Sequence, residues 1–323
     1  MLEEKVAELS AQAETRKDDD DLRDDLRATR AALGHTKRQL REVVLDEYWI
    51  ASMERHGLLP NFTLLDDSVT LKLAVSFLDP QTMEFDTERR EYARGVSSAL
   101  HELVPGATFY AQGIAATIDS VDIGDAGSEI QSWRVCPSCS HAAVIHDTGA
   151  PVGACPVCGD ATYADRRQII PVVPLTRVSA QADRTRNAIG DRFEDRRSPR
   201  FHMAMTCTIP EGSRGTSWYL PGGFGIEHLE DVELRWLNLG RGPGEPRYIA
   251  GSERTTPLFR VCRHCGHIDS EAGSNSKWDH APWCRHRDEP EEDTVSFALG
   301  RTLRTQGVLM HLPPLIAAGV NSA

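Results

Sequence analysis

Two Cys-x-x-Cys pairs, Cys136-Pro137-Ser138-Cys139 and Cys155-Pro156-Val157-Cys158, are separated by fifteen residues in this chain. Each pair closes a tight turn whose two thiolates face one point. Two such turns together supply the four tetrahedral ligands that Zn²⁺ prefers, so residues 130–165 are expected to form a zinc ribbon. The competing reading, two disulfides or a buried thiol cluster, is disfavoured because this spacing without a secretory signal favours metal.

A second set begins at Cys262-Arg263-His264-Cys265 and is completed by His280 and Cys284 within Lys277-Trp278-Asp279-His280-Ala281-Pro282-Trp283-Cys284. It predicts a second, less regular zinc site over residues 257–288. His280 is preferred as its ligand because i and i+4 positions share one face of a helical turn. His264, His267 and His286 lie near the same cysteines and stay open as alternatives. Cys207 stands alone in His202-Met203-Ala204-Met205-Thr206-Cys207, a strand-like run, and reads as a buried inert thiol.

The length of 323 residues admits one large domain or two small ones. A net charge of −12 argues against a protein that coats itself in positive charge to bind nucleic acid, while leaving room for a local basic face. Much of the acid lies in Asp18 to Asp25 and Glu289 to Asp293, which read as solvated runs. No segment approaches the roughly 18 apolar residues needed to cross a bilayer, and Met1-Leu2-Glu3-Glu4-Lys5 is no signal peptide. A reducing, cytoplasmic setting with no membrane partner is the expectation.

Residues 1–56 read as a helical hairpin or short coiled coil. Leu2, Val6, Leu9 and Ala13 share one face, and Leu22, Leu26, Leu33 and Leu40 resume the stripe after the Asp18–Asp21 interruption. From Gly57 the texture is that of a β-rich domain, 57–323. Strands are expected at Val69–Phe77, Thr108–Ile118, Ile130–Val135, Phe201–Ile209, Ser217–Leu220, Val232–Leu237 and Pro257–Val261, with 168–178 extended. One helix is expected from Glu88 to about Leu103, capped by Thr87 and closed by Pro105-Gly106. Residues 181–200 read as a solvated linker or surface helix, because Asp183, Asp191, Glu194 and Asp195 interrupt the arginines that would otherwise suggest a phosphate-facing loop. The predicted fold class is α+β, with two zinc knuckles at strand ends.

The sequence contains no G-x-x-x-x-G-K-[ST] loop to cradle phosphates, no G-x-S-x-G elbow and no H-E-x-x-H helix. Four protein ligands at each zinc leave no open coordination position, so the metal reads as structural.

The order of the motifs resembles the C-terminal region of large bacterial DEAD/DEAH-box helicases. That region carries the zinc-binding domain named after the mitomycin-repair helicase MrfA. The resemblance rests on Gly57-Leu58-Leu59-Pro60-Asn61-Phe62-Thr63-Leu64-Leu65-Asp66-Asp67, on Tyr92-Ala93-Arg94 leading to Ala99-Leu100-His101-Glu102-Leu103-Val104-Pro105-Gly106-Ala107-Thr108-Phe109-Tyr110, on Trp133 to Cys139, and on the Cys262–Cys284 set. It spans about residue 40 to the C-terminus. It implies two structural zinc ions, an accessory role in DNA repair or phage defence, and helicase motor domains as partners in cis or in trans. ATP would then belong to a full-length protein or a partner motor. The two motor domains are absent from this sequence, which implies either a fragment or a split gene product, and no position here matches the family's ATPase residues. Arg260, Arg263, Arg285 and Arg287 surround the second site and are the candidates for weak contact with a single strand of DNA. The rival readings are a protein-interaction scaffold without nucleic-acid contact and a zinc enzyme in which water takes the place of His280.

Overall fold

A computed structural model of the chain describes residues 2–15, most positions between 22 and 37, and 68–78, 85–146, 152–189, 200–268, 280–281, 284 and 293–313. Helix α1 (Leu2–Thr15) opens the chain, and the described positions between 22 and 37 are also helical. Lys37 pairs with Glu3 at 2.6 Å, and Arg30 donates to Ser10 Oγ at 3.1 Å. The partners converge in number from 3 and 37 to 10 and 30, so the two helical runs lie antiparallel. The Asp18–Asp21 turn, the Gly57–Asp67 motif and the 56/57 boundary fall outside the described residues.

The β-rich part begins with β1 (Ser68–Leu78), β2 (Phe85–Gly95), the short helix α2 (Val96–Glu102), β3 (Thr108–Ala111), β4 (Ile114–Val121), β5 (Gln131–Val135) and β6 (Ala142–Ile145). It continues with β7 (Ile169–Pro174), β8 (Arg177–Asp183), β9 (Met203–Thr208), β10 (Arg214–Tyr219) and β11 (Gly225–Asn238). The last strands are β12 (Glu245–Ile249), β13 (Ser252–Thr256), β14 (Phe259–Cys262) and β15 (Thr294–His311). One sheet runs β2-β1-β8-β4-β3. A larger one runs β10-β11-β15-β7-β5-β6, with β9 on β11 and β14 on β15. Pairing is antiparallel except for β1 with β8 and β15 with β7.

Strand β15 shows why the two sheets share a core. Phe297 and Leu299 are fully buried in the cluster that holds Val69, Leu71, Leu73, Leu100 and Ile118 from the five-stranded side. Ala298, one residue out of phase, is buried in the second cluster with Trp133, Val172 and Leu237. A strand covered on both faces reads as an unbroken apolar run, and Val295 to Gly300 has that form apart from Ser296. Helix α2 closes one end of the first core with Val96, Ala99 and Leu100, an i, i+3, i+4 stripe. Its Leu100 carbonyl accepts a buried bond of 2.7 Å from Asn238 at the end of β11.

The structure corrects the expected helix from Glu88 to Leu103. Residues 85–95 are instead a strand in unbroken register with β1, from Leu78↔Phe85 to Ser68↔Gly95. Charged Arg89, Glu91 and Arg94 suit an exposed sheet edge, where they discourage further strand pairing. Sheet packing overrides the helical propensity of this stretch, and only 96–102 coils. The single strand expected over Thr108–Ile118 is a hairpin, turning at Gln112 and Gly113, both with positive φ. Residues 181–183 finish β8, followed by a turn at 184–187; 190–199 lie outside the described residues.

Candidate metal centres

Strand β5 delivers Cys136 directly from the core. The backbone N–H of Cys136 donates to His141 O at 2.9 Å, so the Cys136–Cys139 knuckle is the reversal between β5 and β6. The second knuckle closes on itself, with Gly159 N donating to Cys155 O and Cys155 N donating to Asp160 O, both at 2.9 Å. Asp160 then ties the knuckles together. Its carboxylate accepts from the Ser138 hydroxyl on one side, and from Thr162 N at 2.8 Å and Thr162 Oγ1 at 2.6 Å on the other. These bonds, the Ser138 hydroxyl foremost, hold the Asp160 carboxyl below its usual range.

The four sulfurs of Cys136, Cys139, Cys155 and Cys158 lie within 4.8 Å of one another. Cys136 and Cys158 are 3.5 Å apart at sulfur, and Cys139 and Cys155 are 3.7 Å apart. A tetrahedron built on Zn–S bonds of about 2.3 Å has edges of about 3.8 Å, so the spacing fits. Burial pushes the Cys136 and Cys139 thiols up. Burial acts likewise on Cys155, but hydrogen bonds from the N–H groups of Cys158 and Val157 and from the Cys136 and Cys139 thiols together leave that thiol below its ordinary value. Charging all four sulfurs in this setting calls for a cation among them.

The surroundings hold this first centre firmly. Tyr163 is buried against Cys136 and Cys155. The β12–β13 turn sits on the first knuckle, where Ala250 N donates to Cys136 O at 3.1 Å and Gly251 N donates to Pro137 O at 2.8 Å. From the other side Cys207 N donates to Ser140 O at 2.9 Å. Cys207 itself belongs to neither cluster, and burial raises its thiol.

The second cluster joins Cys262, Cys265, His280 and Cys284, again with ligand atoms within 4.8 Å of one another. Cys262 and Cys284 are 3.8 Å apart at sulfur; His280 Nδ1 is 3.6 Å from Cys265 Sγ and 3.4 Å from Cys284 Sγ. Of the alternative histidines, His264 and His267 stay outside the cluster, and His286 is outside the described residues. The Cys265 and Cys284 thiols hold Cys262 low through hydrogen bonds, and the bond with Cys262 pushes Cys265 up.

This second knuckle is wedged between the two sheets. Cys262 ends β14, which pairs with β15. Val121 N, at the end of β4, donates to Gly266 O at 3.2 Å, and Ile268 N donates to Asp119 O at 2.9 Å. Gly266 has φ +69°, and a Cβ there would lie 2.0 Å from Val121 O. Only glycine permits so close an approach.

The four arginines expected at a nucleic-acid surface divide. Arg260 Nε donates to Thr294 Oγ1 at 3.2 Å, and Arg263 forms an ion pair with Asp293 at 3.2 Å. Arg285 and Arg287 lie outside the described residues. The sequence reading passed over Asp160, Tyr163 and Arg134, which frame the first centre. The Asp160-Ala161-Thr162 capping pattern directly after the second knuckle was the available signal.

Compared with family models, curated proteins and solved structures, the chain matches none. Among the described residues no helix is long and apolar enough to cross a membrane.

Proposed function

We propose that the chain is a zinc-binding accessory module of an ATP-dependent DNA helicase, with Zn²⁺ in both centres, no motor of its own and a separate or covalently joined motor as partner. The observation that carries the metal part is the pair of four-ligand clusters, one of four thiolates and one of three thiolates with an imidazole, each built on a strand end. Soft sulfur donors at tetrahedral spacing suit Zn²⁺, and a filled tetrahedron leaves no position for a catalytic water. The zinc would fix loops that carry few apolar residues. The helicase part is supported by the order of motifs in the sequence. The module would offer a surface to the motor and to the displaced strand.

The test is titration of a labelled single-stranded DNA at low salt, with and without Arg260, Arg263, Arg285 and Arg287 changed together to Ala. Weak binding with a shallow salt slope, reduced in the fourfold variant, is expected for a chain of net charge −12 that makes few phosphate contacts. No binding to any strand would overturn the nucleic-acid part. Turnover of ATP by the purified chain would overturn the accessory role.

A protein-interaction scaffold is the second reading, favoured by one surface. Trp218, Ile226 and Met310 lie side by side across β10, β11 and β15, with Val308 next along β15. Trp218, Val308 and Met310 are about 60% exposed, at 60%, 62% and 61%. A contiguous apolar face of this kind suits a partner polypeptide better than a phosphate backbone. Absence of strand binding together with retained zinc would favour it.

A further inference from the structure

We propose that Arg134, backed by Arg235, is the buried counter-charge of the first centre, and that this centre is built to hold its metal as a tetrathiolate of net charge −2. The inference rests on the zinc reading and names the residues that set the affinity of one centre over the other.

Arg134 is only 2% exposed, and among the described residues it meets no carboxylate. Its Nη1 donates to Tyr163 O at 2.9 Å and reaches Asp165 O at 3.5 Å, while its Nε has no partner among the described residues. A guanidinium out of water without an anion is costly, so a buried arginine of this kind points to a nearby negative charge other than a carboxylate. Two lines of geometry locate that charge. Arg134 and Cys136 are two residues apart on an extended chain and so face the same side. The Arg134 guanidinium also lies 5.7 Å from the ring centroid of Tyr163, whose ring packs on Cys136 and Cys155.

Arg235, on β11, is a second buried guanidinium that reaches the first knuckle. It is 4% exposed, donates to Ala142 O at 2.7 Å beside the first knuckle, lies over the Trp133 ring at 5.5 Å and shares part of its charge with Glu233 at 2.8 Å. Its Nε is likewise without a partner among the described residues. Four thiolates around a divalent ion carry two negative charges; Arg134 answers one of them, and Arg235, shared with Glu233, answers part of the other. The second centre has three thiolates and an imidazole, hence one negative charge. Its described arginines, Arg260 and Arg263, reach the surface, and Arg263 is already paired with Asp293.

The experiment compares the full chain with R134Q, which removes the charge, and R134K, which keeps it. Zinc affinity of each centre is read by competition with a chromophoric chelator, the second centre serving as internal reference. R134Q is expected to weaken the first centre about 10- to 100-fold, the range for outer-shell partners, and R134K by about 3-fold or less. Equal losses in both variants would assign Arg134 to hydrogen bonding alone and overturn the counter-charge; so would no loss in R134Q. E233Q gives an independent sign test that does not alter Arg134: by leaving Arg235 uncompensated it is expected to tighten the first centre, and an unchanged or weaker affinity overturns the proposal. If the unaltered chain holds no metal, the zinc reading itself fails, an outcome distinct from these.

Discussion

The two metal centres use nearly the same donors and are anchored in different ways. The first caps the β5–β6 turn and gathers β9 and the β12–β13 turn around it, all on the side of the larger sheet. The second takes its first cysteine from β14, paired with β15, while its knuckle hydrogen-bonds to the end of β4 in the other sheet. One centre finishes a local structure, whereas the other fastens two sheets to each other. Loss of metal is therefore expected to have local consequences at the first and longer-range consequences at the second.

The sharpest test of this contrast replaces one ligand in each. C262S should lower stability by about 4 kcal/mol or more, because a structural metal's binding energy is folding energy and this one spans the sheets. C158S alters an exposed ligand and should release its metal while leaving the global unfolding midpoint much less changed. Chemical denaturation alongside metal analysis reads both; equal destabilisation would dissolve the distinction. Metal content should fall from about two per chain to about one in either variant.

A smaller effect separates the two knuckles through their backbones. G266A places a Cβ against Val121 O at φ +69° and should cost about 2–3 kcal/mol. G251A, at φ +77° with its nearest contact 3.3 Å away at Ser138 O, should cost about 1 kcal/mol. Thermal unfolding of both variants checks the order, and a reversal would mean that the contact with β4 carries little load.

Smaller again is D160A, which removes the cap on Thr162 N and the tie to Ser138. About 1 kcal/mol is expected, with faster zinc loss to a chelator from the first centre only. At the bottom of the range, C207S should leave metal content unchanged. Loss of metal there would mean that the ligand sets are wrongly assigned.

The clusters were legible in the sequence because knuckle chemistry is local: two residues between cysteines fix where both thiolates point. His280 could be favoured over its neighbours from its spacing to Cys284, another local relation. The strands leading into the knuckles, β5 and β14, were legible for the same reason. What escaped depends on contacts distant in sequence. Residues 85–95 carry the composition of an exposed helix as well as that of an edge strand, and only pairing with β1 decides between them. Arg134 reads as an ordinary strand residue until Tyr163 and the second knuckle close over it. The clasp at Gly266 needs β4, more than a hundred residues earlier in the chain.

Strand β15 is one continuous hydrogen-bonded element, yet its two halves live in different environments. From Phe297 to Gly300 it lies between both cores, registered with β14 at Phe297, with β7 from Ala298 to Gly300 and with β11 from Leu299 onward. From Arg301 to His311 its registered neighbour among the described strands is β11 alone. Amide hydrogen exchange should therefore run as a gradient along a single strand. Protection near Leu299 would track global unfolding, while amides around Val308 and Met310 exchange through small local openings. A protease that captures the open form would cut first in that outer half, leaving both metal centres intact on the larger piece.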